Sequence, residues 1–260
     1  MSIITLTSDW STSDFYVGAV KGKILSGCKD CTVVDISHSI QAFNTAQAAF
    51  VLRNAFHNFP KGSIHLIFIN TEPSPERPFM AVKAHGHYFI GTDNGIFSLI
   101  AGEHAETIVK LSAEQKKSWS AFDAFCDAAC KLATGSMIED LGETVSSFNV
   151  RMPFRPTIED AILTGSIIFI DSYQNAVTNI SKELFEKVKQ NRSFDIYVQS
   201  KHYKISEISD FYHDVPVGEL VALFNSVGLL EIGINNGNAA RLLNLDTNST
   251  VRVEFKDRKK

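Results

Sequence analysis

The sequence has no hydrophobic run long enough to cross a membrane. Of its 260 residues, 44% are hydrophobic and 21% are charged, and the formal net charge is −4. No stretch approaches the roughly 18 consecutive apolar residues that a membrane span needs. The beginning, MSIITLTSDW, lacks the charged region and apolar core of a secretory signal. A short basic run occurs only at the tail, Lys256–Lys260. We therefore expect a cytoplasmic protein that binds neither membranes nor nucleic acid.

The sequence motifs of several common enzyme classes are also missing. No glycine-rich GxGxxG or GxxxxGK[ST] loop is present, which disfavours the sites that cradle nucleotide phosphates. No GxSxG nucleophile elbow occurs. Carboxylates and histidines do not cluster at metal-ligand spacing, which argues against a metal-dependent hydrolase. We expect a site without a metal or another cofactor.

Cysteine is scarce, and the four that occur form two pairs. CKDC contains Cys28 and Cys31, and CDAAC contains Cys126 and Cys130. These spacings could in principle make a tetrahedral zinc site. Against this, the second pair lies one turn apart on an alanine-rich helical pattern, and no histidine is near the first pair. We interpret all four as structural cysteines that act as small apolar side chains.

The first half of the sequence alternates between strand and helix patterns. Three apolar runs predict strands at Ile3–Thr7, Thr32–Ile36 and Ile64–Ile69. Helical spacing at Tyr16–Ser26, which Asp14 is placed to cap, and at Thr45–Phe56 separates them. This βαβαβ order predicts a parallel sheet with right-handed crossovers. Further elements are predicted at Phe79–Ala84 and Tyr88–Gly91, both strands, and at Phe122–Ala133, a helix ended by Gly135.

After about Pro153 the pattern changes to closely spaced short strands. They are predicted at Gly165–Asp171, Ser193–Val198, Lys201–Ile205, Leu220–Phe224, Leu229–Ile234 and Thr250–Phe255, with Lys182–Lys189 as the only helix. Such spacing is typical of a small antiparallel barrel or sandwich. Two prolines interrupt the pattern between Arg151 and Glu159. We therefore expect an N-terminal α/β domain at residues 1–155, with a mainly parallel sheet, and an all-β domain at residues 160–260.

In open parallel sheets, ligands bind just beyond the carboxyl ends of the strands. This rule selects Asp9 after the first strand, His38 after the second, and the segment Asn70–Arg77 after the third. Asp9 could accept hydrogen bonds from two ribose hydroxyls, or it could be a turn aspartate. His38 could be a base or a ligand, or it could simply pack in a strand-end turn.

Several segments together resemble the S-adenosyl-L-methionine hydroxide adenosyltransferases, which are related to the S-adenosylmethionine fluorinase and chlorinase. They run in family order over nearly the whole chain: TSDWSTSDFYVGAVKGKIL, VVDISHSIQAFNTAQAAFVL, FPKGSIHLIFI, HYFIGTDNGIFSLI, FIDSYQNAVTNI and LFNSVGLLEIGINNGNAA. The resemblance implies an N-terminal α/β domain, a C-terminal β-barrel and a homotrimer with active sites between neighbouring subunits. It implies that water or hydroxide attacks the ribose 5′ carbon of S-adenosylmethionine (SAM), giving adenosine and methionine without a metal or cofactor.

The resemblance also assigns binding roles to individual residues. Asp9 matches the aspartate that holds the ribose hydroxyls, and Phe43 matches an aromatic wall beside the nucleoside. The remaining matches are Asp14 and Asp171 for the methionine ammonium, Tyr173 and Asn175 for stacking on and hydrogen-bonding the adenine, Ser226 and Asn236 for the methionine carboxylate and the adenine edge, and Phe211 or Tyr212 for a second stacking face.

The sequence departs from the family at the residues that prepare the water. The family uses an aspartate, an arginine and a histidine, and the arginine matches Arg77 here. The aspartate position holds Asn70 and the histidine position holds Ser120. Three functions therefore remain open: a hydrolase whose water is held by Arg77, Asn70 and Ser120, with help from Glu72 or Asp123; a non-catalytic binder of SAM or adenosine; and a halogenase. The hairpin Val82–Tyr88 lacks the fluorinase's extra loop, which favours the hydrolase branch.

Overall fold

The computed structural model describes residues 2–112, 120–247 and 249–256, without the side chains of Ser120 and Lys201. The chain divides into two compact units, Met1–Pro153 and Phe154–Lys260. Among the described residues, no helix is both long and apolar enough to cross a membrane. Each unit is built around a sheet of its own.

The first unit contains a seven-stranded sheet with the order β2-β1-β3-β5-β4-β6-β7. Strand β1 pairs in parallel with β2 and β3, β3 pairs in parallel with β5, and the remaining pairs are antiparallel. The strands are β1 Ser2–Ser8, β2 Cys31–Ser37, β3 Ile64–Phe68, β4 Phe79–Ala84, β5 His87–Thr92, β6 Ala105–Leu111 and β7 Gly142–Thr144. The helices are α1 Phe15–Gly27, α2 Thr45–Phe56, α3 Ile96–Ile100 and α4 Ser120–Ala133, with short 3-10 turns at Gly102–His104 and Ile138–Leu141.

Strand β3 is buried on both faces, as the apolar run predicts. Successive side chains of a strand point to opposite faces of the sheet. Accordingly, Leu66 and Phe68 join the core that contains Phe125 of α4, and Ile67 joins a second core that contains Leu52 of α2. Because β1 and β3 are parallel and Ser8 is paired with Phe68, both strands end at the same edge of the sheet. The segments that follow them, from Asp9 and from Asn70, are thereby brought together.

The second unit contains an antiparallel, barrel-like sheet with the order β12-β11-β15-β9-β10-β14-β13, and β8 pairs with β9. Its strands are β8 Thr157–Glu159, β9 Ile162–Ile170, β10 Ala176–Ser181, β11 Ser193–Val198, β12 Ser200–Ile205, β13 Leu220–Phe224, β14 Leu229–Ile234 and β15 Thr250–Lys256. The helices are α5 Lys182–Lys189 and α6 Ala239–Leu242, with a 3-10 turn at Tyr212–Asp214. The predicted fold class, a mainly parallel α/β unit followed by a β-barrel unit, is confirmed by this topology.

Some predictions of local structure are wrong. Lys182–Lys189 is not the only helix of the second unit, because α6 forms one further turn. Asp14 occupies the N-cap position of α1 but does not cap the helix with its side chain. Its Oδ2 accepts a hydrogen bond from the backbone N–H of Ser11 instead, at 3.1 Å. That bond closes the turn between β1 and α1, so the carboxylate orders the approach to the helix rather than its first turn.

The four cysteines are free thiols. Cys28, Cys31 and Cys126 are buried, and all four pack in or against the core between the sheet and helices α1 and α4. Burial raises the pKa of the Cys126 thiol to about 12. For Cys31, burial and its neighbour Cys28 raise the pKa to about 11. Both thiols are therefore protonated and weakly nucleophilic at neutral pH.

Candidate functional site

One carboxylate joins two of the segments that the strand-end rule selects, those at Asp9 and Asn70, to Phe43, which the resemblance places beside the nucleoside. Asp9 Oδ2 accepts hydrogen bonds from the backbone N–H of Phe43, at 2.9 Å, and of Asn70, at 3.4 Å. The backbone N–H of Asp9 donates to Phe68 O, at 3.3 Å. Both bonds to the carboxylate fall on Oδ2, and no described residue is hydrogen-bonded to Oδ1. Asp9 therefore organises the edge of the sheet and keeps one oxygen available for a ligand.

The two residues that donate to Asp9 both have left-handed backbones, with φ of 63° at Phe43 and 47° at Asn70. Asparagine adopts this region with little cost, but for a bulky phenylalanine it is an outlier that the surroundings must hold in place. Phe43 is nevertheless 70% exposed. Thr45 N donates to Phe43 O at 3.0 Å, and the Asn44 side chain caps α2 through Gln47 N. A strained backbone thus presents an exposed aromatic ring next to a carboxylate.

His38 is buried and connects the ends of two strands. Its Nδ1 lies 2.7 Å from Ser8 Oγ, and its Nε2 lies 3.1 Å from Asp35 Oδ1. Ser8 Oγ also accepts from Trp10 N at 3.3 Å. Although burial acts to raise the pKa of Asp35, a hydrogen bond from Lys21 and the nearby His38 lower it overall. This geometry supports the packed strand-end interpretation of His38, because the ring is buried and Nδ1 is engaged by Ser8, while Nε2 lies close to Asp35 without making a hydrogen bond among the described residues.

The segment that carries Arg77 forms a small antiparallel turn of its own. Ser74 N donates to Arg77 O at 3.2 Å, and Arg77 N donates to Ser74 O at 3.0 Å. Ser74 Oγ donates to Glu76 Oε2 at 2.8 Å. That bond, the backbone of Glu76 and the nearby Arg77 charge lower the pKa of Glu76. The segment Asn70–Arg77 is therefore ordered internally even though it contains two prolines.

The same segment and its flanking residues Ile69 and Pro78 are fixed to the rest of the first unit through their backbone carbonyls. Four of them accept hydrogen bonds from residues that sequence reasoning did not select: Ile69 O from Asn94 Nδ2 at 2.8 Å, Thr71 O from Thr92 Oγ1 at 3.1 Å, Glu76 O from Asn149 Nδ2 at 2.7 Å, and Pro78 O from Asp93 N at 2.8 Å. Three of the four donors belong to Thr92–Asn94, at the end of β5 and directly after it. The backbone that carries Arg77 is therefore held from both sides.

Asp93 and Asn149 bond to each other and to the backbone that carries Arg77. Asp93 is 4% exposed, and both carboxylate oxygens accept from Asn149 N, at 3.0 and 2.9 Å. Asn149 Nδ2 in turn donates to Asp93 O at 2.8 Å and to Glu76 O. Burial raises the pKa of Asp93, and the backbone bonds from Asn149 and Gly95 oppose that rise. The Asp-Asn-Gly turn after β5 was a sequence signal for Asp93, but none pointed to Asn149.

The other residues proposed to prepare the water are less well defined. The Ser120 side chain lies outside the described part of the chain, although α4 begins at Ser120. Asp123 is engaged elsewhere, since Lys23 Nζ lies 2.6 Å from its Oδ1. Glu72 is exposed, and Arg77 and Asn70 are half-buried. Arg77 and Asn70 thus lie at the two ends of the anchored segment, with Asn70 bonded to Asp9.

In the second unit, the turn between β9 and β10 brings together Asp171, Tyr173 and Asn175. Asp171 Oδ1 accepts from Asn175 N at 2.8 Å, and Oδ2 accepts from Asn175 Nδ2 at 3.1 Å. Asp171 N also donates to Asn175 O at 3.1 Å. This closed loop leaves the Tyr173 ring 75% exposed at its tip. Tyr173 is thus exposed while Asn175 is only 6% exposed, and the stacking and hydrogen-bonding roles that the resemblance assigns to them stay predictions.

Tyr212 extends this network to a carboxylate that sequence reasoning missed. The Tyr212 hydroxyl makes a short hydrogen bond to Glu231 Oε1, and Asn175 Nδ2 lies 3.4 Å from the same hydroxyl. Glu231 is 5% exposed, and its Oε2 accepts from Asn225 Nδ2 at 3.1 Å. Burial and then the Glu231 bond raise the pKa of Tyr212. The signal for Glu231 was an acidic residue within the apolar run LLEIGI.

The remaining predicted residues lie on exposed turns. Ser226 lies in the turn between β13 and β14, next to Asn225, and Asn236 follows β14 with φ of 53°. Phe211 is 60% exposed and stacks on His213, with ring centroids 5.1 Å apart. Of the second-unit candidates, the hydrogen bonds therefore join Asp171, Asn175 and Tyr212 directly. Ser226 is connected only through its neighbour Asn225.

Comparisons with known proteins cover both units. Residues 4–142 match the SAM hydroxide adenosyltransferase N-terminal domain, and residues 165–252 match the C-terminal domain of that family. An (R)-S-adenosyl-L-methionine hydrolase from Methanocaldococcus jannaschii is 31% identical over 277 residues, covering 98% of this chain and 97% of the relative. A fluorinase from Actinoplanes sp. is 23% identical, with 96% and 97% covered. The structure of an uncharacterized conserved protein from Thermotoga maritima superposes with a TM-score of 0.85 at 25% identity, covering 97% of this chain and 99% of that one.

Proposed function

Because the chain belongs to the SAM hydroxide adenosyltransferase family, we propose that it hydrolyses S-adenosyl-L-methionine to adenosine and L-methionine. In this reaction a water oxygen bonds to the ribose 5′ carbon while the bond from that carbon to sulfur breaks. The electron pair of the broken bond goes to sulfur, which leaves as the neutral thioether of methionine, and the proton of the water passes to solvent. The sulfonium is already a good leaving group, so the protein's task is to align and desolvate the water, with no metal or cofactor required.

The observation that carries this proposal is the arrangement around Asp9. Its Oδ2 is occupied by two backbone N–H groups, while Oδ1 has no hydrogen bond from the described residues. An ionised carboxylate accepts hydrogen bonds only, so Oδ1 suits the hydroxyls of a ribose. The exposed Phe43 ring, whose own backbone is held by the same carboxylate, suits the apolar face of a nucleoside. Binding of an adenosine group therefore follows from residues that the fold itself holds in place.

Arg77 is proposed to orient the water, together with Asn70 and Ser120. The hydrogen bonds of the segment Asn70–Arg77 and its neighbours hold the Arg77 backbone in place, which supports the precise alignment of a nucleophile. Asn70 can hydrogen-bond a water but cannot accept its proton as a carboxylate does. Loss of a general base typically lowers a rate by about 10²–10⁴. We therefore expect slow hydrolysis. We further propose that the protein acts as a homotrimer in the cytoplasm.

The experiment is to incubate the purified protein with SAM and to separate the products by chromatography. Adenosine and methionine in equal amounts support the proposal, and a halide-dependent 5′-haloadenosine product would replace it with a halogenase. Two variants divide the roles. Arg77→Ala should lower kcat far more than it weakens binding, whereas Asp9→Asn should weaken adenosine binding first. Equal losses of kcat and affinity in Arg77→Ala would show that Arg77 only positions the ligand.

One observation favours a second candidate, a non-catalytic binder of SAM or adenosine. Asn70 keeps its hydrogen bond to Asp9, so the binding arrangement is intact although the position has no carboxylate. The same experiment distinguishes this function. Tight SAM binding that is weakened in Asp9→Asn, with no adenosine formed after prolonged incubation, would identify a binder.

A further inference from the structure

Glu231 is a buried carboxylate that the proposed reaction leaves without a role. It lies on β14 and is 5% exposed, yet no lysine or arginine among the described residues pairs with it. Its partners are the Tyr212 hydroxyl on Oε1 and Asn225 Nδ2 on Oε2. Burying a carboxylate against neutral partners costs free energy, so such a group calls for an explanation beyond packing.

The donors and acceptors of this network can be assigned in one way only. A carboxylate only accepts, so the Tyr212 proton must point to Glu231. The Tyr212 oxygen can then only accept from Asn175 Nδ2, which lies 3.4 Å away. The other hydrogen of the same Nδ2 is taken by Asp171 Oδ2, at 3.1 Å. Two carboxylates, Asp171 directly and Glu231 through Tyr212, thus hold the amide nitrogen of Asn175.

The amide oxygen of Asn175 is the group left over. Among the described residues, none donates a hydrogen bond to Asn175 Oδ1. Oδ1 also does not belong to the fully buried side-chain atoms that lack a partner. The backbone of Gly233 lies close to it, because a Cβ added at Gly233 would come within 2.9 Å of Oδ1. A side chain at position 233 would therefore crowd this oxygen. What Asn175 offers a ligand is an acceptor.

We propose that Glu231, acting through Tyr212, fixes the orientation of the Asn175 amide, with its oxygen offered to the ligand. The site therefore selects a base that carries an amino group over a base that carries a carbonyl at the same position. This rests on the proposed function in taking the ligand as an adenosine derivative. An adenine amino group donates to Oδ1, whereas the carbonyl oxygen of a 6-oxopurine would face another acceptor. Glu231 is a positioning residue in this scheme, since it touches Tyr212 and not the ligand.

The test is to measure by calorimetry the dissociation constants of adenosine and inosine, which differ in this group, for the wild-type protein and for Glu231→Gln. One satisfied hydrogen bond against one clash between acceptors corresponds to about a tenfold preference for adenosine in the wild type. In Glu231→Gln the new amide can donate to the Tyr212 oxygen. The Tyr212 hydroxyl can then turn its proton towards Asn175 and oppose the hold of Asp171 on the amide nitrogen. The two orientations of the amide become closer in free energy, so we expect the preference to fall to about threefold or less.

Two further variants keep the proposal falsifiable. Tyr212→Phe interrupts the relay without changing Glu231 and should lower the preference in the same way. Glu207→Gln makes the same change at an exposed position of the same unit and should leave the preference at its wild-type value. A folded Glu231→Gln protein with the wild-type ratio, or a wild type that binds inosine as tightly as adenosine or binds neither, overturns the inference. A wild type that keeps the preference but forms no adenosine from SAM overturns the proposed hydrolysis alone.

Discussion

Two fully buried histidines predict that the first unit loses stability in mild acid. His65 lies on β3 and His87 on β5, and both are 0% exposed. His65 Nδ1 lies 2.7 Å from Thr5 Oγ1, and its Nε2 lies 3.3 Å from His87 Nδ1. His87 Nε2 is buried without a hydrogen-bond partner among the described residues. Burial, and then the neighbouring His87, lower the pKa of His65 to about 3, and burial, then Lys61, lower the pKa of His87 to about 4.

The sign and size of the effect follow from proton linkage. In the unfolded chain a histidine has a pKa of about 6.5, so below that pH the unfolded state takes up protons that the folded state refuses. Stability therefore falls as the pH falls from 6.5 towards the folded-state values. Between pH 7.5 and pH 5 each of the two histidines changes the free energy of unfolding by about 1.5 × 1.36 kcal/mol, which is about 2 kcal/mol. The pair together accounts for about 4 kcal/mol, a large share of the stability of a typical domain.

Urea unfolding followed by tryptophan fluorescence measures this quantity, because Trp10 and Trp119, the only tryptophans, both belong to the first 153 residues. His87→Leu replaces the ring with an apolar side chain and should reduce the pH-dependent loss to about 2 kcal/mol. His213→Gln changes a histidine whose side chain is 78% exposed and should leave the loss unchanged. A wild-type loss below about 1 kcal/mol, or a full loss retained in His87→Leu, would refute the reasoning.

Two further predictions concern the segment that carries Arg77. Asn149→Ala removes the side-chain donor to Glu76 O and Asp93 O. We expect kcat for SAM hydrolysis to fall about tenfold or more with KM changed less than about threefold, and a raised KM with normal kcat would contradict this. Asn70→Asp supplies the missing carboxylate at a backbone conformation that aspartate also tolerates, so kcat should rise about tenfold or more. Asn70→Gly, which keeps the backbone and adds no base, is its control, and an Asn70→Asp protein no faster than the wild type would show that position 70 does not limit the rate.

Local sequence patterns predicted most of the fold because the main elements carry their own signals. The helix at Thr45–Phe56 and the strands at Phe79–Ala84 and Leu229–Ile234 have the predicted bounds. Two of the elements that were missed depend on distant partners. Strand β10, Ala176–Ser181, has too few large apolar residues to show a pattern and is ordered by pairing with β9 and β14. Helix α6 is one turn long, and Ala240 N is held by Gln174 O at 2.8 Å.

The candidate site could be predicted only in part, for a similar reason. The strand-end rule selects Asp9 and the segment from Asn70, because parallel strands must end at one edge of the sheet. It does not select Asn149, which supports that segment from 56 residues beyond Asp93. Nor does it select Glu231, whose bond to Tyr212 spans 19 residues. Such supports are set by tertiary contacts between residues that have no local pattern in common.

In each unit a carboxylate first accepts hydrogen bonds that order the chain. Only its remaining hydrogen-bonding capacity is available to a ligand. Asp9 holds the left-handed backbones of Phe43 and Asn70, and Asp171 holds both the backbone and the side chain of Asn175. Replacing Asp9 by alanine would therefore release two residues with left-handed backbones as well as a ligand contact, and the two losses would be mixed in one measurement. Asp9→Asn keeps an acceptor oxygen for the backbone N–H groups and removes the charge. A large loss of adenosine affinity in Asp9→Asn, with an unchanged unfolding transition, would thus report on the ligand contact itself.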